Sequence, residues 1–164
     1  MSTKTIDPFE ISLSSVDGKL REKNHEALQP VLTSLIAFGL IVKQLHWNII
    51  GPGFRPIHLH LDEIYEDVLE ATDTVAERLS ATGSSPSGCV HFIATNTDLK
   101  DPEEGFIRDE HVLALACLRI LETIGLVRDQ LQIIETVDTV SADLLHQILA
   151  KLEKQHWMLQ AQRV

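Results

Sequence analysis

The sequence has few of the residues that mark disulfide-rich, nucleic-acid-binding or membrane-spanning proteins. It contains only two cysteines, Cys89 and Cys117, which form no CxxC pair and no disulfide framework. Acidic residues outnumber basic ones by 24 to 14, and the net charge of -10 repels DNA phosphates and acidic membrane surfaces. The most apolar run, Leu35 to Val42, is too short to span a bilayer. These features favour one globular domain that attracts cations.

The cysteine content and the N-terminal sequence both predict a cytoplasmic protein with no membrane association. Two unpaired thiols are typical of a reducing compartment. The first residues, MSTKTIDPFEISLSS, lack the basic segment followed by an apolar segment that a secretory signal carries.

Apolar residues recur at helical spacing in four segments, which predicts an all-α protein. The predicted helices cover residues 24–50, 56–81 and 107–137, and a fourth begins near Ser141, the expected N-cap. Pro30 places the regular start of the first helix close to Gln29. We expect an N-terminal tail over residues 1–23, a bundle over residues 24–160 and a short C-terminal tail over residues 161–164.

The lengths of the connections predict the topology. Short turns join the first helix to the second and the third to the fourth, so each pair forms an antiparallel hairpin. About 25 residues, from Thr82 to Phe106, separate the two hairpins, which leaves room for a short helix in the crossover. Two hairpins joined by one long crossover form the ferritin-like four-helix bundle.

The second predicted helix carries four metal-ligating side chains on one stripe. Relative to His58, Asp62 lies about 40° round the helix, Asp73 about 60° and Glu77 about 100°. Asp62 and Asp73 are separated by about 16 Å along the axis at roughly 1.5 Å per residue, so one metal cannot contact both. The stripe therefore offers two half-sites of i, i+4 spacing, and the alternative is a solvated acidic face.

A two-fold symmetric partner would complete both half-sites. If two copies of the helix pair antiparallel, His58 and Asp62 of one copy face Asp73 and Glu77 of the other. His46, near the end of the first helix, can add a second imidazole. Such a nitrogen and oxygen ligand set suits Fe(II), Mn(II) or Zn(II).

The segment KQLHWNIIGPGFRPIHLHLDEIYEDVLEATDTVAERL, residues 43–79, resembles the signature of the Dps proteins, DNA-binding proteins from starved cells within the ferritin-like superfamily. SADLLHQILAKLEKQHWML, residues 141–159, resembles the last helix of that family. The resemblance implies a hollow shell of twelve subunits with tetrahedral symmetry. It also implies a two-iron ferroxidase centre at each two-fold interface.

The resemblance assigns a role to each residue of the stripe and to two residues near the end of the first helix. His46, His58 and Asp62 match ligands from one subunit, and Asp73 and Glu77 match ligands from its partner. The implied reaction is oxidation of Fe(II) by hydrogen peroxide or oxygen, preferentially by hydrogen peroxide, with storage of Fe(III) mineral inside the shell. Trp47 matches an electron donor beside the site, and helix packing is an equally good account of a tryptophan there.

The family also admits iron through acidic pores at its three-fold axes. The matching positions in this sequence are Asp138, Asp143 and Gln147. The third position is often acidic in relatives, so Gln147 weakens the field of the expected pore. Asp143 also fits the first turn of a helix, where the helix dipole favours an acid.

The tail charge separates iron storage from DNA binding. Residues 1–23 carry four basic residues (Lys4, Lys19, Arg21, Lys23) and four acidic residues (Asp7, Glu10, Asp17, Glu22). Without clustered cations there is little counterion release, so we predict no direct DNA binding at physiological salt. Nucleoid compaction is therefore the second hypothesis. Metal-assisted hydrolysis is the third, because a histidine and carboxylate site can activate water.

Overall fold

Four long helices form the bundle in the computed structural model, which describes residues 14–163. The elements in chain order are α1 (Gly18–Asn48), β1 (Ile49–Ile50), α2 (Phe54–Ala81), α3 (Val90–Asn96), β2 (Ile107–Arg108), α4 (Asp109–Ile134) and α5 (Thr139–Ala161). The all-α ferritin-like bundle is confirmed, and α3 is the short helix expected in the crossover. The predictions on residues 1–13 and 164 lie outside the described residues.

The packing order places α1 at the centre of the fold. Helix α1 packs against both α2 and α4, and α4 packs in turn against α5. The core consists of aliphatic side chains together with Phe38 and Cys117. Its largest fully buried members are Phe38, Leu28, Leu32, Leu35, Leu45, Leu61, Ile64, Leu79, Ile120, Ile134, Leu145 and Leu152. Burial of each such side chain contributes about 1.5–3 kcal/mol.

Helix α1 has the length and mean hydropathy of a membrane-spanning helix. Its most apolar window has a mean hydropathy of 1.5, and 72% of that window is buried inside the protein. Packing against α2 and α4 therefore accounts for the apolar composition of this helix.

A two-residue parallel strand pair joins the end of α1 to the start of α4. Ile49 pairs with Ile107, and Ile50 pairs with Arg108. The sequence did not predict these strands, because two residues are too few for a periodic pattern. The pair closes the long crossover against the α1–α2 turn.

The start of α1 differs from its prediction. Asp17 is the N-cap, and its side chain accepts a hydrogen bond of 2.9 Å from the backbone N–H of Leu20. Residues 18–23, expected in the tail, therefore belong to the helix. Pro30 also lies inside α1 rather than at its regular start. Glu26, whose carbonyl loses its usual helical donor at Pro30, is exposed.

The start of α5 was also predicted incorrectly. Asp138, not Ser141, is the N-cap, and its side chain accepts from the backbone N–H of Val140. The hydroxyl of Ser141 lies within the first turn and donates to Asp138 Oδ2 at 2.7 Å. Both residue types are favourable N-caps, so the local sequence alone did not distinguish them.

The turn between α1 and α2 is fixed by Asp109 at the start of α4. Asp109 Oδ2 accepts a hydrogen bond of 2.6 Å from the backbone N–H of Gly53. Gly51 has φ +130°, and a Cβ there would lie 2.6 Å from the Asp109 carboxyl. The positive φ and the closeness of the Asp109 carboxyl both favour glycine at position 51 over any residue with a Cβ. This contact sets how the end of α1 meets the start of α2.

Candidate metal centre

Three ligating side chains meet where α1 turns into α2. His46 lies in the last turn of α1, and His58 and Asp62 lie on successive turns of α2. One ligand atom from each residue lies within 4.8 Å of the others. Because the α1–α2 turn is short and the helices are antiparallel, residues twelve and sixteen positions apart become neighbours. Two imidazoles and a carboxylate are typical ligands of Fe(II), Mn(II) or Zn(II).

The histidine rings are held in place by contacts that leave one nitrogen of His58 available. The rings of His46 and His58 stack with centroids 3.7 Å apart. The ring of Phe54 stacks on that of His58 with centroids 4.9 Å apart. His58 Nδ1 lies 3.0 Å from the backbone carbonyl of His46. A carbonyl only accepts, so Nδ1 carries the proton and Nε2 has a free lone pair. Such backbone contacts orient metal-ligating histidines.

The electrostatics favour the protonation states that a metal site requires. Burial lowers the pKa of His46 from its usual value and outweighs the opposing effect of Asp62, which favours the neutral imidazole. The hydrogen bond from Lys43 is the largest cause that lowers the pKa of Asp62, so this carboxyl stays ionised. A neutral histidine and an anionic carboxylate are both competent ligands.

Lys43 is a member of this cluster that the sequence reasoning missed. Its Nζ donates to Asp62 Oδ1 at 2.8 Å and lies 3.4 Å from His46 Nδ1. The same Nζ lies 5.7 Å from the centroid of the Trp47 ring and 5.3 Å from that of Tyr65. The i, i+3 spacing of Lys43 and His46 on α1 is the one local sequence signal for this neighbourhood, and the contact with Asp62 on α2 is not contained in it.

Asp73 and Glu77 remain apart from this cluster within one chain. Both lie on α2 beyond Asp62, and both are exposed. Among residues 14–163, His46, His58 and Asp62 are the only group of three or more potential ligands within such a distance. The proposed contribution of Asp73 and Glu77 therefore depends on a second copy of the chain, and it stays a prediction.

The indole of Trp47 is 65% exposed, although it follows a buried ligand in the sequence. Within one chain it is therefore not a core residue, and packing inside the bundle does not account for it. Its predicted role as an electron donor stays a prediction.

The two predicted pore residues have different environments. Asp143 is exposed and accepts a hydrogen bond of 2.9 Å from Gln147, so it remains available to line a pore. Asp138 is 7% exposed, and its Oδ2 accepts from Arg78 at 2.5 Å and from Asn24 at 2.8 Å. These bonds give Asp138 a structural role as a buried helix cap, and they do not support a pore role for it.

The electrostatics of Asp138 agree with that structural role. Burial raises its pKa, but hydrogen bonds from Ser141, Arg78 and Asn24 outweigh burial and lower the pKa from 3.8 to about 2. The cap therefore carries a full negative charge that balances Arg78.

The bundle and its histidine and carboxylate cluster define a ferritin-like protein, and comparison with known proteins agrees. The family model of the ferritin-like domain matches residues 25–164. The structure of Dps from Microbacterium arborescens in the high iron form aligns with a TM-score of 0.87 at 26% identity, covering 92% of this chain and 98% of that one. The Mycobacterium smegmatis Dps tetragonal form aligns with a TM-score of 0.85 at 29% identity, covering 99% and 94%.

Sequence relatives narrow the class to one family. The DNA protection during starvation protein of Listeria monocytogenes is 30% identical over 155 residues, which cover 92% of this chain and 94% of the relative. Protein 2 of that name from Deinococcus radiodurans is 33% identical over 141 residues, which cover 85% of this chain and 58% of the relative. Protein 1 is 35% identical over 83% of this chain and 66% of its own length. The chain spans about six-tenths of these two Deinococcus relatives. The chain belongs to the Dps family of ferritin-like proteins.

Proposed function

We propose that this protein oxidises Fe(II) at centres shared between two subunits and stores the Fe(III) as mineral inside a twelve-subunit shell. Membership of the Dps family supports a general role in iron storage or DNA protection. The observation that carries the more specific proposal is the cluster of His46, His58 and Asp62 at the α1–α2 turn.

The cluster supplies half of a binuclear iron site. Its three ligands come from one chain. Two further carboxylates, Asp73 and Glu77, are exposed further along α2. If two α2 helices pair antiparallel, Asp73 and Glu77 of one chain face the cluster of the other. Similarity to Dps structures supports an oligomer, which is the condition for this arrangement. Carboxylate oxygens favour Fe(III) over Fe(II), because the harder ion binds hard ligands more strongly.

The proposed reaction consumes two Fe(II) ions for each hydrogen peroxide. Each Fe(II) gives one electron, the O–O bond breaks, and two protons taken up from solution complete two water molecules, so that two Fe(II), one hydrogen peroxide and two protons give two Fe(III) and two water molecules. Because both electrons arrive together at one centre, no hydroxyl radical is released. The chain contributes the ligands that hold the two substrate ions close to each other. Because the two imidazoles are stacked, they restrict the positions at which these ions bind.

The positions of Trp47 and Asp143 agree with this proposal. Trp47 is exposed beside Lys43 and one residue from His46, where its indole can supply an electron when only one Fe(II) is bound. Asp143 is an exposed carboxylate near the start of α5, and it would attract Fe(II) to a three-fold pore. Asp138 is buried against Arg78 within one chain, so the proposed attraction of Fe(II) to the pore rests on Asp143 alone.

The test is Fe(II) oxidation by stoichiometric hydrogen peroxide, followed by absorbance, in the wild type and a His46→Ala/Asp62→Ala variant. Rapid oxidation and a soluble iron core are expected in the wild type and lost in the variant. The matched control is Glu110→Ala/His111→Ala, which also removes one carboxylate and one imidazole from exposed positions on α4. Equal rates in all three proteins would refute the assigned centre.

A further inference from the structure

We propose that a cavity between α1, the crossover and α4 binds a linear aliphatic polyamine. The volume of this cavity is about 530 Å³, which lies within the range of small-molecule sites in proteins. Helix α2, which carries His58 and Asp62, contributes no residue to its lining. The cavity is therefore separate from the proposed metal centre, and neither proposal depends on the other.

The ionisable groups that line the cavity all carry negative charge. Asp98 lies on the crossover, Glu122 and Asp129 lie on α4, and no basic side chain from the described part of the chain lines the cavity. Arg119 donates to Glu122 Oε2 at 2.9 Å. Asp98 and Asp129 have no hydrogen bond or ion pair from their side chains within residues 14–163. The lining therefore favours a cationic ligand.

The spacing of the acids on α4 indicates an elongated cation. Glu122 and Asp129 are seven residues apart, which is about 10.5 Å along the helix axis, and they share one face. Gly125 and Leu126 lie between them on that face and also line the cavity. A linear polyamine has the same alternation, because methylene segments separate its charged amines. Among the described residues, Asp98, Glu122 and Asp129 do not bring three ligand atoms within 4.8 Å of one another, so a single metal ion is a poor match.

A hydroxyl group without a protein partner lies at the floor of the cavity. Ser34 on α1 is only 4% exposed and lines the cavity, and its Oγ forms no hydrogen bond with any residue that the structure describes. Every side-chain nitrogen or oxygen in residues 14–163 that lacks accessible surface has a partner, so this oxygen keeps some accessible surface. That surface opens onto the cavity. Buried polar groups are normally hydrogen-bonded, and the Ser34 hydroxyl can accept a hydrogen bond from an amine.

Gly125 keeps the cavity open. A glycine inside a helix is destabilising relative to alanine, and Gly125 lies in the interior of α4. Its φ is not positive, and a Cβ at this position would have no other atom within 4 Å. Neither the backbone conformation nor the packing therefore requires glycine here. A larger side chain would occupy part of the cavity, so the space for a ligand accounts for this glycine.

The crossover wall of the cavity is held against α4 by the protein itself. Arg119 is 7% exposed, and its Nε donates to the backbone carbonyl of Lys100 at 2.8 Å. The backbone N–H of Leu99 donates to Thr97 Oγ1 at 3.2 Å. Because these bonds fix the wall, little ordering of the chain is needed when a ligand binds.

The experiment measures spermidine binding to the assembled protein by isothermal titration calorimetry at fixed pH and ionic strength. Asp129→Asn removes one of the unpaired carboxylates and keeps its size. Gly125→Leu fills the cavity without a clash at Cβ. The matched control is Glu110→Gln, which removes a carboxylate from an exposed position on α4 that does not line the cavity. Thermal unfolding without spermidine shows whether each variant is folded.

The wild type and Glu110→Gln are expected to bind spermidine with similar affinity. Asp129→Asn should bind it at least about tenfold more weakly, because one charged contact is lost, and Gly125→Leu should not bind it. If Gly125→Leu did not fold, the comparison of Asp129→Asn with Glu110→Gln would decide. Absence of binding to the wild type would overturn the inference. Equal weakening in Asp129→Asn and Glu110→Gln would also overturn it, because spermidine would then be attracted only diffusely to the acidic surface.

Discussion

Complementation between two inactive variants tests whether the oxidation site is shared between subunits. In the proposed dimer, each centre takes His58 and Asp62 from one chain and Asp73 and Glu77 from the other. An Asp62→Ala chain and an Asp73→Ala chain are each expected to form dimers without an intact centre. A mixed dimer of the two is different, because one of its centres receives both substitutions and the other receives none.

The symmetry of the dimer fixes the size of the effect. With equal amounts of two chains that pair at random, about half of the dimers are mixed, and each has one intact centre of two, so about one quarter of all centres are active. The assay is the initial rate of Fe(II) oxidation by hydrogen peroxide after co-expression of the two variants. The expected rate is about one quarter of the wild-type rate per chain.

The matched control pairs two variants from the same half-site. Co-expression of Asp62→Ala with His58→Ala leaves every centre with one substitution, so no rate should be recovered. Recovery with Asp73→Ala and none with His58→Ala would support the shared centre. If Asp62→Ala and Asp73→Ala gave no recovery although mixed assemblies formed, the reasoning from helix spacing to a shared site would be refuted.

Three further predictions concern the cap, the turn and DNA. Asp138→Asn should lower the free energy of unfolding at pH 7 by about 2 kcal/mol. The folded pKa is depressed from 3.8 to about 2, so this stabilisation is present above the unfolded pKa and lost as pH falls through the folded pKa. Denaturation of both proteins at pH 7 and pH 3 should show the difference shrinking, and a constant difference would contradict it. Gly51→Ala should destabilise the protein by about 1–3 kcal/mol because φ is +130°, whereas Gly125→Ala in an open part of α4 should not, as thermal unfolding would show. Gel-shift titration at physiological salt should show no DNA binding, and tight, salt-sensitive binding would contradict the tail-charge argument.

The sequence alone was sufficient for the helices, their order and the spacing of the ligands on α2. Helical periodicity is a local property, and four long segments with strong periodicity left little choice of fold class. The separation of Asp62 from Asp73 along α2 follows from the rise per residue, and the division into two half-sites that rests on it stays a prediction. Where local signals competed, the prediction failed, as at Ser141 and Asp138, because two good N-caps stood three residues apart.

The tertiary structure decided what meets across the bundle. His46 reaches His58 and Asp62 because Asp109 fixes the α1–α2 turn, and no local pattern near His46 contains that contact. Asp138 is a buried helix cap because Asn24 and Arg78, distant in the sequence, donate hydrogen bonds to it, and no local pattern indicated these partners. Lys43 lies beside the ligands for the same reason, because its partner Asp62 lies on another helix. Helical spacing sets which side chains share a face, but only packing decides which faces meet.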